Sequence, residues 1–115
     1  MEVRAVAKNI RVSPSKARLL VDMVRGKKVE EALTMLRFTP TPTARAVAKV
    51  IKSAAANAEN GFQMSPEALR IRRVFVDSGL TMKRYRPAAR GRASPVLKRS
   101  SHITVIVAEQ ENYGT

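Results

Sequence analysis

KRYRPAARGRASPVLKR, residues Lys83 to Arg99, holds seven cations (Lys83, Arg84, Arg86, Arg90, Arg92, Lys98 and Arg99) and no carboxylate. An apolar run precedes it, Val74-Phe75-Val76, and another follows it, Ile103 with Val105, Ile106 and Val107. Two strand-like runs bracketing a turn-rich segment predict one antiparallel hairpin. Folding it about Arg90–Gly91 sets Phe75 opposite Ile106 and pairs the apolar runs at the base. The segment between has too few large apolar residues to bury itself, so it should leave the body as an arm. Ten residues a side at about 3.3 Å each give a reach on the order of 30 Å. Seven like charges repel unless a polyanion surrounds them.

The remaining 98 residues must supply the core, and 115 residues with 44% hydrophobic content suit one domain, residues 1–115. Its expected parts are a body (1–80 and 102–110), the arm (81–101) and a frayed tail (111–115). Twenty-two Lys and Arg against nine Asp and Glu give a net charge of +13, which points to nucleic acid before anionic membrane. Cysteine is absent, so there is no disulfide framework or thiolate metal site. No apolar run approaches the length of a spanning helix and no signal-peptide core is visible, which makes the cytoplasm the simplest location. Aromatics are scarce: Phe38, Phe62, Phe75, Tyr85 and Tyr113. Contact with phosphate and with RNA shape therefore fits better than base-by-base stacking on a sheet.

The body reads strand, three helices, then the hairpin. Residues 2–8 alternate Val3, Ala5, Ala7 against Glu2, Arg4, Lys8, with Val6 out of step. Ser13-Pro14 predicts a helix start with the hydroxyl as cap, and Ala17, Leu20, Val21 and Val24 form its stripe up to Gly26. Val29, Ala32, Leu33 and Leu36 form a second stripe, with Glu30 and Glu31 in the favourable first turn. A third helix starts at Thr41 or Thr43, aligns Val47, Val50, Ile51, Ala54 and Ala58, and closes at Asn60-Gly61. A strand over Leu69–Asp77 and a last strand from Ile103 complete an α+β fold. Its three helices pack on a small three-stranded antiparallel sheet, and the long basic β-hairpin projects from it.

No constellation supports catalysis. His102 is the single histidine, without cysteine or clustered carboxylates to share a metal, and reads as a packing or hydrogen-bonding residue at the arm's base. Glu30 and Glu31 point about 100° apart on a helix and are not an acid/base pair. No phosphate-binding glycine loop is present. The expectation is a non-enzyme without metal or cofactor. In the arm, five of seven cations are arginine, whose forked guanidinium matches phosphate. Lys16, Arg18, Arg25, Lys27 and Lys28 make a second basic cluster on the first helix and its exit.

Val12–Leu33 (VSPSKARLLVDMVRGKKVEEAL), Lys49–Asn60 (KVIKSAAANAEN), and KRYRPAARGRA followed by KRSSHITVIV together resemble the bacterial ribosomal protein L twenty-two family, in that family's order. The resemblance implies a constituent of the large ribosomal subunit that binds 23S ribosomal RNA, aids assembly and contacts neighbouring ribosomal proteins. It places the hairpin tip in the wall of the peptide exit tunnel, facing the nascent polypeptide. Matched by position, the expected RNA-binding residues are Lys83, Arg84, Arg86, Arg90, Gly91, Arg92, Lys98, Arg99 and His102, with Ser13, Lys16, Arg18, Arg25 and Lys27 on the first helix. The tunnel-facing tip is Ala88, Ala89, Arg90, Gly91 and Arg92. Many relatives read Pro-Arg-Ala where this chain has Pro87-Ala88-Ala89, and Ser94-Pro95 replaces more apolar residues. The resemblance implies a monomer when free, and helical stripes of Ala, Val and Leu without Trp suit a core and not membrane contact. The competing class is an architectural DNA-binding protein with paired basic arms, which would be a dimer.

Overall fold

The structure, a computed structural model, describes residues 2–87 and 93–109, with the backbone alone described for 84–87 and 93–96. The elements are β1 (Glu2–Ile10), α1 (Pro14–Val24), α2 (Val29–Arg37), α3 (Pro42–Phe62), a 3-10 turn (Pro66–Ala68), β2 (Leu69–Ser78), β3 (Met82–Pro87), β4 (Ala93–Lys98) and β5 (Ser101–Glu109). The order is the α+β one expected from the sequence. β1, β5 and β2 form a three-stranded antiparallel sheet in that order, and β3 pairs with β4 in a separate two-stranded ribbon.

The core lies between the sheet and the helices. α3 supplies its central stripe: Val47, Val50, Ile51, Ala54 and Ala58 are all buried. These are the residues that recur at helical spacing in the sequence. α1 adds Ala17, Val21 and Val24, and α2 adds Val29, Ala32 and Leu36. The sheet answers with Val3 and Ala5 from β1, Ile103, Val105 and Val107 from β5, and Leu69, Ile71, Val74 and Val76 from β2. Alanine at Ala17, Ala32, Ala44, Ala54 and Ala58, each fully buried, lets the helix backbones approach closely. Val6, out of step in β1, is indeed exposed.

Two local expectations need correction. Ser13 is the N-cap of α1 but its side chain makes no capping bond. Its Oγ lies 3.0 Å from that of Ser15, so the cap is the backbone carbonyl of Ser13 accepting from Ala17 N–H. At the start of α3, Thr41 does cap through its hydroxyl, accepting from Ala44 N–H at 3.2 Å. α3 does not close at Asn60-Gly61. It continues through Gly61 to Phe62, and Gln63 takes the left-handed conformation at φ 54°. The amides of Gln63 and Met64 both return to Ala58 O, which drops Met64 into the core. Burying that side chain outweighs the roughly 1 kcal/mol cost of a helical glycine.

The hairpin register also differs. Phe75 pairs with Thr104, and Ile106 with Arg73, two residues from the expected match. In the arm ribbon Met82 lies opposite Lys98 and Pro87 opposite Ala93, one residue from the expected match. Below it, three residues (79–81) leave the pairing on one strand and two (99–100) on the other, which shifts the body by one more residue. Over residues 73–78 the slip is even and keeps side chains on their expected faces, and a further irregularity between Ile71 and Arg73 lets both Ile71 and Val74 face the core. The interruption divides what the sequence suggests is one continuous hairpin into two ribbons joined by a neck.

The neck is tightly built. Gly79 N–H donates to Ser100 O at 2.9 Å, Ser100 Oγ donates to Leu80 O at 2.6 Å, and Ser101 Oγ donates to Val12 O at 2.8 Å. A Cβ on Gly79 would lie 2.6 Å from Ser100 Oγ, 3.2 Å from His102 Cε1 and 3.3 Å from the Ser100 carbonyl carbon. Gly79→Ala therefore forces Ser100 off its bond to Leu80 and should destabilise the chain by about 1–2 kcal/mol. Urea unfolding checks this, and the loss should shrink when Ser100→Gly removes the obstructing hydroxyl.

Candidate nucleic-acid interface

The neck sets the direction of β3 and β4. These strands pair from Met82–Lys98 to Pro87–Ala93 and make almost no contact with the helices or sheet of the body. The molecule is correspondingly long, with extents of 70 × 26 × 19 Å. Arg84 faces Val96 across the ribbon and Arg86 faces Ser94 by backbone register. Lys83, Lys98 and Arg99 are exposed at the base of the ribbon. The expected tip residues Ala88, Ala89, Arg90, Gly91 and Arg92 lie outside the described residues, as does the tail from residue 110.

His102 stands where the sequence puts it, beside the neck. Its Nδ1 accepts the N–H of Asn9 at 3.1 Å. Asn9 has φ 57°, within an irregularity that shifts the β1–β5 register between Ala7 and Ile10. Asparagine tolerates that left-handed geometry better than most residues. His102 thus holds the end of β1 against the arm's base, which is the packing and hydrogen-bonding role read from the sequence.

The first-helix cluster divides into two kinds. Ser13 is half-buried, and Lys16 and Lys27 project to solvent. Arg18 and Arg25 turn to β2: Arg18 Nη2 donates to Val76 O at 3.2 Å and Arg25 Nη2 to Val74 O at 2.8 Å. Further along the same strand, Gly26 N–H donates to Ile71 O and Ile71 N–H to Lys27 O. Gly26 reaches this position with φ +80°, where a side chain would be strained. β2 is an edge strand, and together these bonds cover its outer edge, which would otherwise be open to another strand. Arg25 also pairs with Asp22. A guanidinium has five donors, so Arg18 and Arg25 keep donors for an external anion while closing the edge.

The open face of the sheet carries cations that sequence reasoning missed. Register aligns Arg4, Ile106 and Arg73 in one row and Val6, Thr104 and Phe75 in the next. Arg72 and Arg73 pair with Glu2 at 2.7 and 3.9 Å, exposed contacts worth at most about 1 kcal/mol. Period-two spacing of Arg4 and Lys8 against Val3, Ala5 and Ala7 was the available signal.

A small α+β body with an outward two-stranded ribbon of basic sequence is the architecture that the family resemblance implies. Comparison with known families agrees. The family model described as ribosomal protein L22p/L17e matches residues 5–108, and the chain belongs to that family. It is 63% identical over 109 residues to the large ribosomal subunit protein uL22 of Dehalococcoides mccartyi, covering 95% of this chain and all of that one. Identity to the proteins of the same name is 57% over 110 residues in Syntrophobacter fumaroxidans and 53% over 111 in Herpetosiphon aurantiacus. Those matches cover 96% of this chain and 100% and 98% of the respective relatives.

Proposed function

We propose that this chain is a non-catalytic structural constituent of the cytoplasmic large ribosomal subunit, anchored by binding 23S ribosomal RNA through its arm. The observation that carries the proposal is the arm itself. It is a paired ribbon that leaves the body at a fixed neck and bears seven cations without a carboxylate, in a chain of the ribosomal L22p/L17e family.

Phosphate would be met by Lys83, Arg84, Arg86, Arg90, Arg92, Lys98 and Arg99, with Gly91 allowing close backbone approach. Lys16, Arg18, Arg25 and Lys27 extend the contact onto the body, while Ser13 and His102 hold the adjoining backbone. Segment 88–92 is assigned to the wall of the exit tunnel, facing the nascent polypeptide. Contacts with several RNA domains and with neighbouring ribosomal proteins follow from an arm that leaves the body behind, and this is how the chain would aid assembly. The free protein is a monomer.

Each phosphate contact releases about 0.7–0.9 counterion. Seven arm contacts alone therefore predict a slope of about −5 to −6 in log affinity against log salt, and the body contacts make the wild-type slope steeper than that. Titration of the wild-type chain with a large-subunit ribosomal RNA transcript between 50 and 200 mM salt measures it. A nearly flat dependence contradicts the proposal.

A further inference from the structure

A groove of about 880 Å³ runs between β1 and α3, and none of its lining residues belongs to the arm. Its floor is Ala5, Val6, Ala7 and Ile10 of β1, and its rim is Arg45, Lys49 and Lys52 of α3. Among the described residues no carboxylate lines it. The three cations are spaced i, i+4, i+7 and lie on one stripe of the helix, spanning about 10 Å at 1.5 Å per residue. All three are exposed, and none takes part in the ion pairs formed among the described residues. The groove also borders an unclosed edge, because among the described residues β1 pairs only with β5.

We propose that this groove is a second RNA site, holding an unpaired stretch of large-subunit ribosomal RNA. Its phosphates lie along Arg45, Lys49 and Lys52, and a base or ribose lies against the alanine-rich floor. The proposal rests on the RNA-binding reading above and extends it to the β1 edge of the sheet, across from the β2 edge that the first helix closes. An added peptide strand would also suit a free sheet edge. A row of three like charges without an acid, however, favours a partner with a negative charge at every step of its backbone. RNA supplies that charge, and its unstacked bases supply flat faces for the floor.

The test pairs two measurements on the full chain. In the first, the Arg45→Gln, Lys49→Gln, Lys52→Gln variant is titrated with full-length large-subunit ribosomal RNA beside the wild type. The salt slope should become shallower by about 2 to 3. In the second, a photo-crosslinking amino acid replaces exposed Ser53 on the groove wall in otherwise wild-type chain assembled into ribosomes. The adduct should be ribonuclease-sensitive. An unchanged slope with steep wild-type binding, or an adduct to protein alone, overturns the groove and leaves the arm's role standing. Failure of the wild-type chain to bind the RNA overturns the broader reading instead.

Discussion

Replacing all seven arm cations with glutamine is expected to remove most of the chain's affinity for large-subunit ribosomal RNA at physiological salt. A protein with this many phosphate contacts loses on the order of a thousandfold or more in affinity between 50 and 200 mM salt, and the neutral-arm variant should lose far less over that interval. Lys83, Lys98 and Arg99 are exposed, and the ribbon contributes nothing to the core cluster described for the body. Circular dichroism should therefore report an intact fold. The informative companion replaces the five arm arginines with lysine. It keeps the charge and so the salt slope, but loses the forked guanidinium geometry, so affinity should fall modestly at every salt concentration. If the neutral variant binds as tightly as the wild type, the arm is not the anchor.

Ile51→Ala should be the most damaging single change to the body. Ile51 is fully buried near the middle of α3, the helix that touches α1, α2, β1 and β5. Removing three carbons there costs transfer free energy and leaves a cavity that close-packed neighbours cannot fill, about 2–5 kcal/mol in total. At several degrees per kcal/mol for a domain of this size, thermal unfolding should drop by about 10 °C or more. Ile51→Val at the same site should cost only about 0.5–1.5 kcal/mol, which separates lost packing from a general intolerance to substitution.

These two predictions rest on features of different legibility. The α3 stripe was readable because period 3.6 is a local property, and Val47 through Ala58 repeat it without interruption. The alternation of β1 was equally local, including exposed Val6. Register was not, because the neck places three unpaired residues against two and no turn motif announces it. The termination of α3 followed Met64's place in the core and not the nearest glycine.

The site shows the same division. Charge density marked the arm and the first helix as basic. It could not tell that Arg18 and Arg25 reach carbonyls 58 and 49 residues away, because that depends on β2 being the sheet's edge. Arg45, Lys49 and Lys52 were not singled out from the sequence. Only the placement of α3 beside β1 turns them into one wall of a groove.

The central claim, that the chain works inside the large ribosomal subunit, is tested most directly by sedimentation of a cell extract through a high-salt gradient while following this protein. The account predicts co-migration with the large subunit after the wash, since the arm's many contacts must fail together for release. Recovery at the top of the gradient, or with chromosomal DNA, would contradict it.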